Sequence, residues 1–322
     1  MELSEIYRKG KEILRGQKIG FTLEGVETGW VIENNRRVMR QYAFQQRAID
    51  APAQASTKVS LLGVELETPV IMSAITMPIP AIREGGLVMV AEGLKAAGSM
   101  MWTGTPIPQN LSELTQSGVY LAQNVKPHRD RKKIFCELDE IQKAGVTWVG
   151  IEIDAGMGTK IRDQQIAKDC SPLSFGELSQ IRKAVNRPLI FKGILSAYDA
   201  LKSLDAGADA IIVSNHGAHT IDFLPHPFQV MQEITKTVSK RIPLFIDGGF
   251  RRGSDVLKGL AMGANLVGLG RPILYGLAAD GAEGVRYVVQ HITSELRRIM
   301  VMVGASNVEG IGPQCVLETS KL

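Results

Sequence analysis

The stretch SNHGAHTID (Ser214–Asp222) puts His216 and His219 directly after the apolar run ADAIIV. An imidazole at the tip of a buried strand is a group able to take a proton near neutral pH. Asp154 closes a second such run, TWVGIEID, two residues after Glu152. Alternation along a strand points both carboxylates into the same layer. An aspartate held against an imidazole orients the ring and stabilises it once protonated, so Asp154 is a candidate partner for His216. Lys192 ends a third run, PLIFKG. Burying its charge alone is costly, so it faces a ligand anion, forms a Schiff base, or pairs internally with Glu152 or Asp154. His128, His219 and His226 have weaker contexts and read as structural.

The elements that must position these residues form a repeating pattern. Eight short apolar runs follow one another from about Thr68: PVIMSA, GSMMWT, VYLAQNV, TWVGIEID, PLIFKG, DAIIVSN, PLFIDGG and NLVGLG. Amphipathic stretches such as SAYDALKSLDAGA and RRGSDVLKGLAMGA separate most of them. Ser196 is placed to cap the first of these helices, Ser254 caps or begins the second, and each stops at a Gly-Ala pair. Apolar strands separated by helices indicate a parallel sheet buried on both faces, and eight units indicate a (β/α)8 TIM barrel. No GxGxxG follows the first strand, which counts against an open dinucleotide-binding sheet. The barrel is assigned to 67–322, after an N-terminal helical and irregular extension over 1–66.

Barrel active sites lie at the C-terminal ends of the strands. Gln123, Glu152, Asp154, Lys192, Ser214, His216, Asp247 and Gly270 all fall there. The last two loops, DGGFRRG and GLGRP, supply Gly248, Gly249, Arg251, Gly270 and Arg271. Glycines let a backbone approach a ligand closely and arginines add charge-assisted hydrogen bonds, so this pair of loops reads as a phosphate site.

Composition bounds the rest. With 322 residues, 44% hydrophobic, the chain has ample core for one large domain or two modest ones. The 37 Lys and Arg against 33 Asp and Glu leave a net charge of +4 without a polybasic run. Nucleic-acid binding gains no support from this, whereas a small anionic ligand suits it. Cys136, Cys170 and Cys315 are widely spaced, which argues against a disulfide framework or a zinc site. The charged start MELSEIYRKG is no signal peptide, and no apolar run reaches membrane-spanning length. A cytoplasmic enzyme without a metal is the expectation.

SNHGAHTID, with FKG before it and DGGFRRGSDVLKGLAMGANLVGLGRP after it, resembles the FMN-dependent α-hydroxy acid oxidase and dehydrogenase family. The resemblance runs back through ETPVIMSAITM to EGVETGWVIENNRRVMRQYAF. It implies an oxidoreductase that removes a proton from a 2-hydroxy acid or related secondary alcohol at His216, supported by Asp154, while two electrons pass to FMN. Lys192 is then the lysine beside the flavin N1 and O2 edge. Gln123 hydrogen-bonds the ring, and the Ser73, Ala74 and Ile75 backbone lies along it. Asp247, Gly249, Arg251, Gly270 and Arg271 match the ribityl and phosphate site. Glu152, Ser214 and Gly248, at the same strand ends, complete the expected cofactor contacts. The family also implies a homo-oligomer, commonly a tetramer.

The departures from the family concern the substrate. His219 stands where an arginine grips the substrate carboxylate, and Phe21 where a tyrosine is expected. Val125 or Lys126 stands in place of a second tyrosine, and Glu152 in place of a threonine. Thr76 takes the place of a small residue at the flavin's reactive face. Lys160 and Arg162 are the nearby cations after the fourth strand. The substrate-anion site is therefore expected to be altered, rebuilt from His219, Lys160 or Arg162. Two alternatives remain: a non-redox FMN enzyme of the isopentenyl diphosphate isomerase type, and an inactive flavin-binding barrel.

Overall fold

A computed structural model describes residues 2–17, 19–161 and 164–321. Eight parallel strands form the barrel: β1 (Val70–Met72), β2 (Met100–Thr103), β3 (Tyr120–Val125), β4 (Trp148–Glu152), β5 (Leu189–Ile194), β6 (Ala210–Val213), β7 (Leu244–Ile246) and β8 (Leu266–Leu269). They pair in the order β1-β8-β7-β6-β5-β4-β3-β2. The β1–β2 seam is drawn together by the Ser99 hydroxyl donating to the Val70 carbonyl at 2.7 Å and the Ile75 N–H to the Trp102 carbonyl at 3.2 Å. Every residue of β1, β2, β4, β6, β7 and β8 is buried, as expected when side chains fill the barrel and helices cover it. The interior holds an aromatic cluster in which the Trp148 and Phe245 rings stack at 5.5 Å and Trp102 meets Trp148 edge-on at 6.0 Å.

Among the described residues the α-helices longer than four residues are α1 (Leu3–Gly16), α2 (Trp30–Met39), α3 (Gly86–Ala96), α4 (Leu111–Gln116), α5 (Arg131–Lys143), α6 (Phe175–Ala184), α7 (Ala197–Asp205), α8 (Pro227–Val238), α9 (Gly253–Ala261) and α10 (Arg271–Met302). Local signals set several ends. Ser196 caps α7 by accepting from the Asp199 N–H, and Ser174 with Glu177 forms a capping box on α6. Ser254 lies inside α9, whose N-cap is Arg252.

The N-terminal segment packs over the barrel. Helix α1 crosses α10 so closely that a Cβ on Gly10 would lie 2.4 Å from the Tyr275 carbonyl oxygen. The hairpin Val59–Leu61 and Val64–Leu66 covers the opposite end from the site, where the Trp148 indole donates to the Leu62 carbonyl at 3.0 Å. Among the described residues no helix is long and apolar enough to cross a membrane.

Candidate active site

A cavity of about 400 Å³ opens at the C-terminal ends of the strands, within the usual range of roughly 300–1,000 Å³ for small-molecule sites. Two of its lining residues, His216 and Lys192, form a three-residue cluster with Asp154. The His216 Nδ1 lies 2.9 Å from Asp154 Oδ2 and 3.4 Å from Lys192 Nζ. A carboxylate accepts only, so Nδ1 carries the proton toward Asp154 and the Nε2 lone pair is left for a substrate.

Each member is held from several directions. Asp154 sits in the helical turn Ile153–Ala155 after β4. Gly193 makes room for it: at φ 95° a Cβ there would fall 2.1 Å from the Asp154 Cγ. His216 itself has φ 55°, and Gly217 and Ala218 follow at 61° and 75°. The positive φ of His216 and Ala218 is strained unless the surroundings impose it. Here the Ser214 hydroxyl accepts from the His216 N–H, Arg271 donates to the Gly217 carbonyl, and the Val26 N–H donates to the Ala218 carbonyl.

Electrostatics favour charged partners around the imidazole. Burial opposes ionisation of Asp154, but the His216 and Lys192 charges and the His216 hydrogen bond outweigh it and hold the carboxyl below its ordinary range. Burial likewise favours a neutral Lys192, but Asp154, Asp247 and Glu152 outweigh it and hold the amine above its ordinary value. His219 behaves oppositely. Burial, then the charges of Arg271 and His216, push it down to about 3, so it lines the cavity as a neutral ring.

The far end of the cavity is formed by the two glycine loops. Gly248 and Gly249, at φ 113° and 86°, line it together with Arg251 and Gly270. Arg36 fixes this loop from α2, donating to the Gly249 carbonyl at 2.9 Å and to Asp255 at 3.1 Å. The Tyr7 hydroxyl of α1 donates to the Arg251 carbonyl at 2.7 Å. Among the described residues no hydrogen bond or ion pair engages the Arg251 guanidinium, and the buried Asp247 Oδ1 has no partner. An open cation and an open acceptor along one cavity fit a phosphate and a hydroxylated chain.

One (β/α)8 barrel mouth thus carries a histidine–aspartate pair, a buried lysine and this loop pair. The profile of FMN-dependent dehydrogenases matches residues 10–172 and 156–318, and the chain belongs to that family. An L-lactate oxidase of Lentilactobacillus hilgardii is 30% identical, over 97% of this chain and 92% of its own length. Glycolate oxidase 3 of Arabidopsis thaliana is 27% identical, over 97% and 95%. A crystal structure of mandelate oxidase superimposes with a TM-score of 0.88 at 25% identity, covering 96% of each chain. The chain is thus an oxidoreductase of the α-hydroxy acid oxidase type, and its cofactor is FMN.

The structure distributes the residues singled out in the sequence unevenly. Ser73, Ala74, Ile75, Lys192, Asp247 and Gly270 line the cavity, as do Glu152, Gly248, Gly249, Arg251 and Arg271. The Arg271 side chain donates to the Thr22, Glu24 and Gly217 carbonyls, joining the N-terminal segment to the base loop. Gln123 and Ser214 stand behind the cavity wall. The Gln123 amide is engaged by Thr103, Gly104 and Asn124. Lys160 is a rim residue, its side chain on Glu27 at 3.1 Å and its N–H on the His219 carbonyl. Arg162 and the Phe21 side chain lie outside the described residues. His226 caps α8 and contacts the Gly248 carbonyl at 3.1 Å. His128 lines the cavity between Cys170 and Glu137, which raise its pKa to about 9. Sequence reasoning passed over Tyr7, Arg36 and the buried Lys126–Glu152 pair. Only the pair carried a signal, two charged residues near the ends of adjacent apolar runs.

Proposed function

We propose that this chain oxidises a small 2-hydroxy acid or a closely related secondary alcohol, with His216 as the base. The observation that carries the reading is the His216–Asp154 pair at 2.9 Å beside the buried Lys192, with His216 and Lys192 lining the cavity. FMN, when bound, supplies the two-electron acceptor. The His216 Nε2 takes the proton from the substrate hydroxyl or α-carbon. Asp154 accepts from Nδ1–H throughout and stabilises the imidazolium that results. Lys192 stabilises negative charge that develops next to it. The cavity walls of Ile75, Pro106 and Ile166 exclude water around these charges and strengthen each interaction.

The relatives named above are oxidases, which weighs against the non-redox isomerase reading. In the altered site of this reading, a neutral His219 replaces a charged clamp, so the substrate acid must be held elsewhere. Asp247 and the Gly248–Arg251 and Gly270–Arg271 loops would hold the ribityl phosphate of FMN. We also take the 67–322 barrel as the catalytic unit, and a homotetramer in the cytoplasm as its form. The test is anaerobic mixing of the FMN-loaded protein with glycolate, lactate and mandelate. Bleaching of the flavin by at least one is expected; the hydroxy-acid reading fails if none bleaches it while dithionite does.

A further inference from the structure

Lys126 follows β3 immediately and lines the cavity with its side chain almost fully buried. Its ammonium lies 2.6 Å from Glu152 Oε2. The other Glu152 oxygen accepts from the Asn124 amide at 2.9 Å, and Asn124 Oδ1 accepts from the Trp102 indole at 2.7 Å. Both Glu152 oxygens are thereby engaged. Burial opposes its ionisation, but Lys126, His216 and Lys192 outweigh this and hold it well below the ordinary carboxylate range. Glu152 is a fixed anion, unsuited to act as a base.

An ammonium has three N–H donors and Glu152 takes one. Other cations on the inner cavity wall are committed differently. Lys192 faces His216 amid three carboxylates, and Arg271 is bound by three backbone carbonyls. Arg251 stands on the glycine loop at the phosphate end. His219, in the SNHG loop, is neutral, and its buried Nδ1 has no partner. Lys192 also keeps free donors, but three carboxylates already surround its charge, whereas Lys126 meets one carboxylate and keeps two N–H donors for a second acceptor.

We propose that Lys126 binds the acidic group of the substrate and that Glu152 is the residue that positions it. Glu152 keeps the ammonium aimed while the cavity holds no acid, through the 2.6 Å contact between them. A substrate carboxylate then completes a three-member chain, carboxylate–ammonium–carboxylate, held by charge-assisted hydrogen bonds. The proposal rests on the hydroxy-acid reading above and assigns its anion to a residue near the end of β3, away from the SNHG loop.

The test uses FMN-loaded protein and oxalate, a small unreactive dicarboxylate, titrated by calorimetry and by the shift in flavin absorbance. Lactamide serves as a neutral comparison. Lys126→Met alone would strand a buried carboxylate, so the paired variant K126M/E152Q is used, with FMN stoichiometry as the folding control. Glu152→Gln alone retains an oxygen acceptor for Lys126. The expected result is oxalate binding weaker by about tenfold or more in the paired variant, the loss of one charge-assisted hydrogen bond. E152Q should bind oxalate at least as tightly as wild type, because a repelling charge is gone, and lactamide affinity should hold in all three. Unchanged oxalate affinity in K126M/E152Q overturns the proposal. So does equal loss in E152Q, or a wild-type protein that takes up no oxalate. Lys126-dependent oxalate binding without flavin reduction by any 2-hydroxy acid supports the anion site and defeats the hydroxy-acid reading alone.

Discussion

Replacing Asp154 by Asn tests the proposed base directly. The asparagine oxygen can still accept from His216 Nδ1–H, so ring orientation is kept while the charge is lost. In the native site the donor and acceptor atoms are 2.9 Å apart. Charge centres about 4 Å apart interact by about 4 kcal/mol at an effective dielectric near 20. The imidazolium forms only as the proton transfers, so most of that energy belongs to the barrier rather than to substrate binding. About 4 kcal/mol corresponds to roughly a thousandfold in rate. The assay is stopped-flow reduction of bound FMN by a reducing 2-hydroxy acid, without oxygen, in D154N with its flavin content measured. A fall of two to three orders of magnitude, about 10²–10³-fold, with full flavin content is expected. A fall of less than about tenfold would show that the Asp154 charge does not support proton transfer at His216.

Arg251→Ala should weaken FMN binding by about ten- to a hundredfold, the loss of a charged hydrogen bond; fluorescence titration of the refolded apoprotein reads it, and unchanged affinity places the phosphate elsewhere. Gly193→Ala introduces a Cβ 2.1 Å from Asp154 Cγ at a left-handed position. It should lower the urea midpoint by the equivalent of about 1–3 kcal/mol and slow flavin reduction as well; native behaviour in both would refute the stated close packing. His219 and His226 are both pushed down to about 3 by burial. The unfolded chain takes up protons at these sites below about pH 6.5 while the folded chain does not. Their stability contribution is therefore complete above that pH and declines as pH falls toward 3, so the urea midpoint should drop between pH 7 and 5. His128, raised to about 9, is already protonated in the folded chain while its unfolded counterpart titrates near 6.5, so it offsets part of the loss but is outweighed by the two depressed histidines.

The barrel was legible because each strand is a continuous apolar run and each gap an amphipathic one. Val149 to Ile151 and Ile190 to Phe191 could be placed from neighbours alone. The grouping of His216, Asp154 and Lys192 followed from one rule, that strand tips of such a barrel meet at one mouth. What the rule could not supply was the choice of partner. Lys192 and Glu152 are cross-strand neighbours in register, yet Glu152 turns to Lys126 and Asn124. That choice depends on Asn124 pairing with Gly150 across β3 and β4, a register no single run reveals. The braces from the N-terminal segment were also hidden. Tyr7 reaches Arg251 across 244 residues and Arg36 reaches Gly249 across 213, distances at which sequence pattern carries no information.

Those braces make the base loop depend on a segment outside the barrel. Asp222, the last residue of SNHGAHTID, accepts from the Thr28 hydroxyl, the Thr28 N–H and the Val31 N–H, where α2 begins. The same segment supplies the Val26 N–H to the Ala218 carbonyl and the Thr22 and Glu24 carbonyls to Arg271. His216 and Ala218 keep their left-handed backbone, at about 1–2 kcal/mol each, only while these bonds persist. Asp222→Ala removes three acceptor contacts at a helix start, a loss of about 1–2 kcal/mol by the measure of helix caps. The barrel core and the glycine loops are untouched, so FMN content should stay near one per chain. Hydrogen exchange over residues 19–31 should accelerate, and flavin reduction should slow as His216 leaves its strained position more often. Asp222→Asn, which keeps one oxygen acceptor, should fall between the two. Faster exchange with an unchanged reduction rate would show that the loop holds its backbone without the N-terminal segment, and the coupling argued here would be wrong.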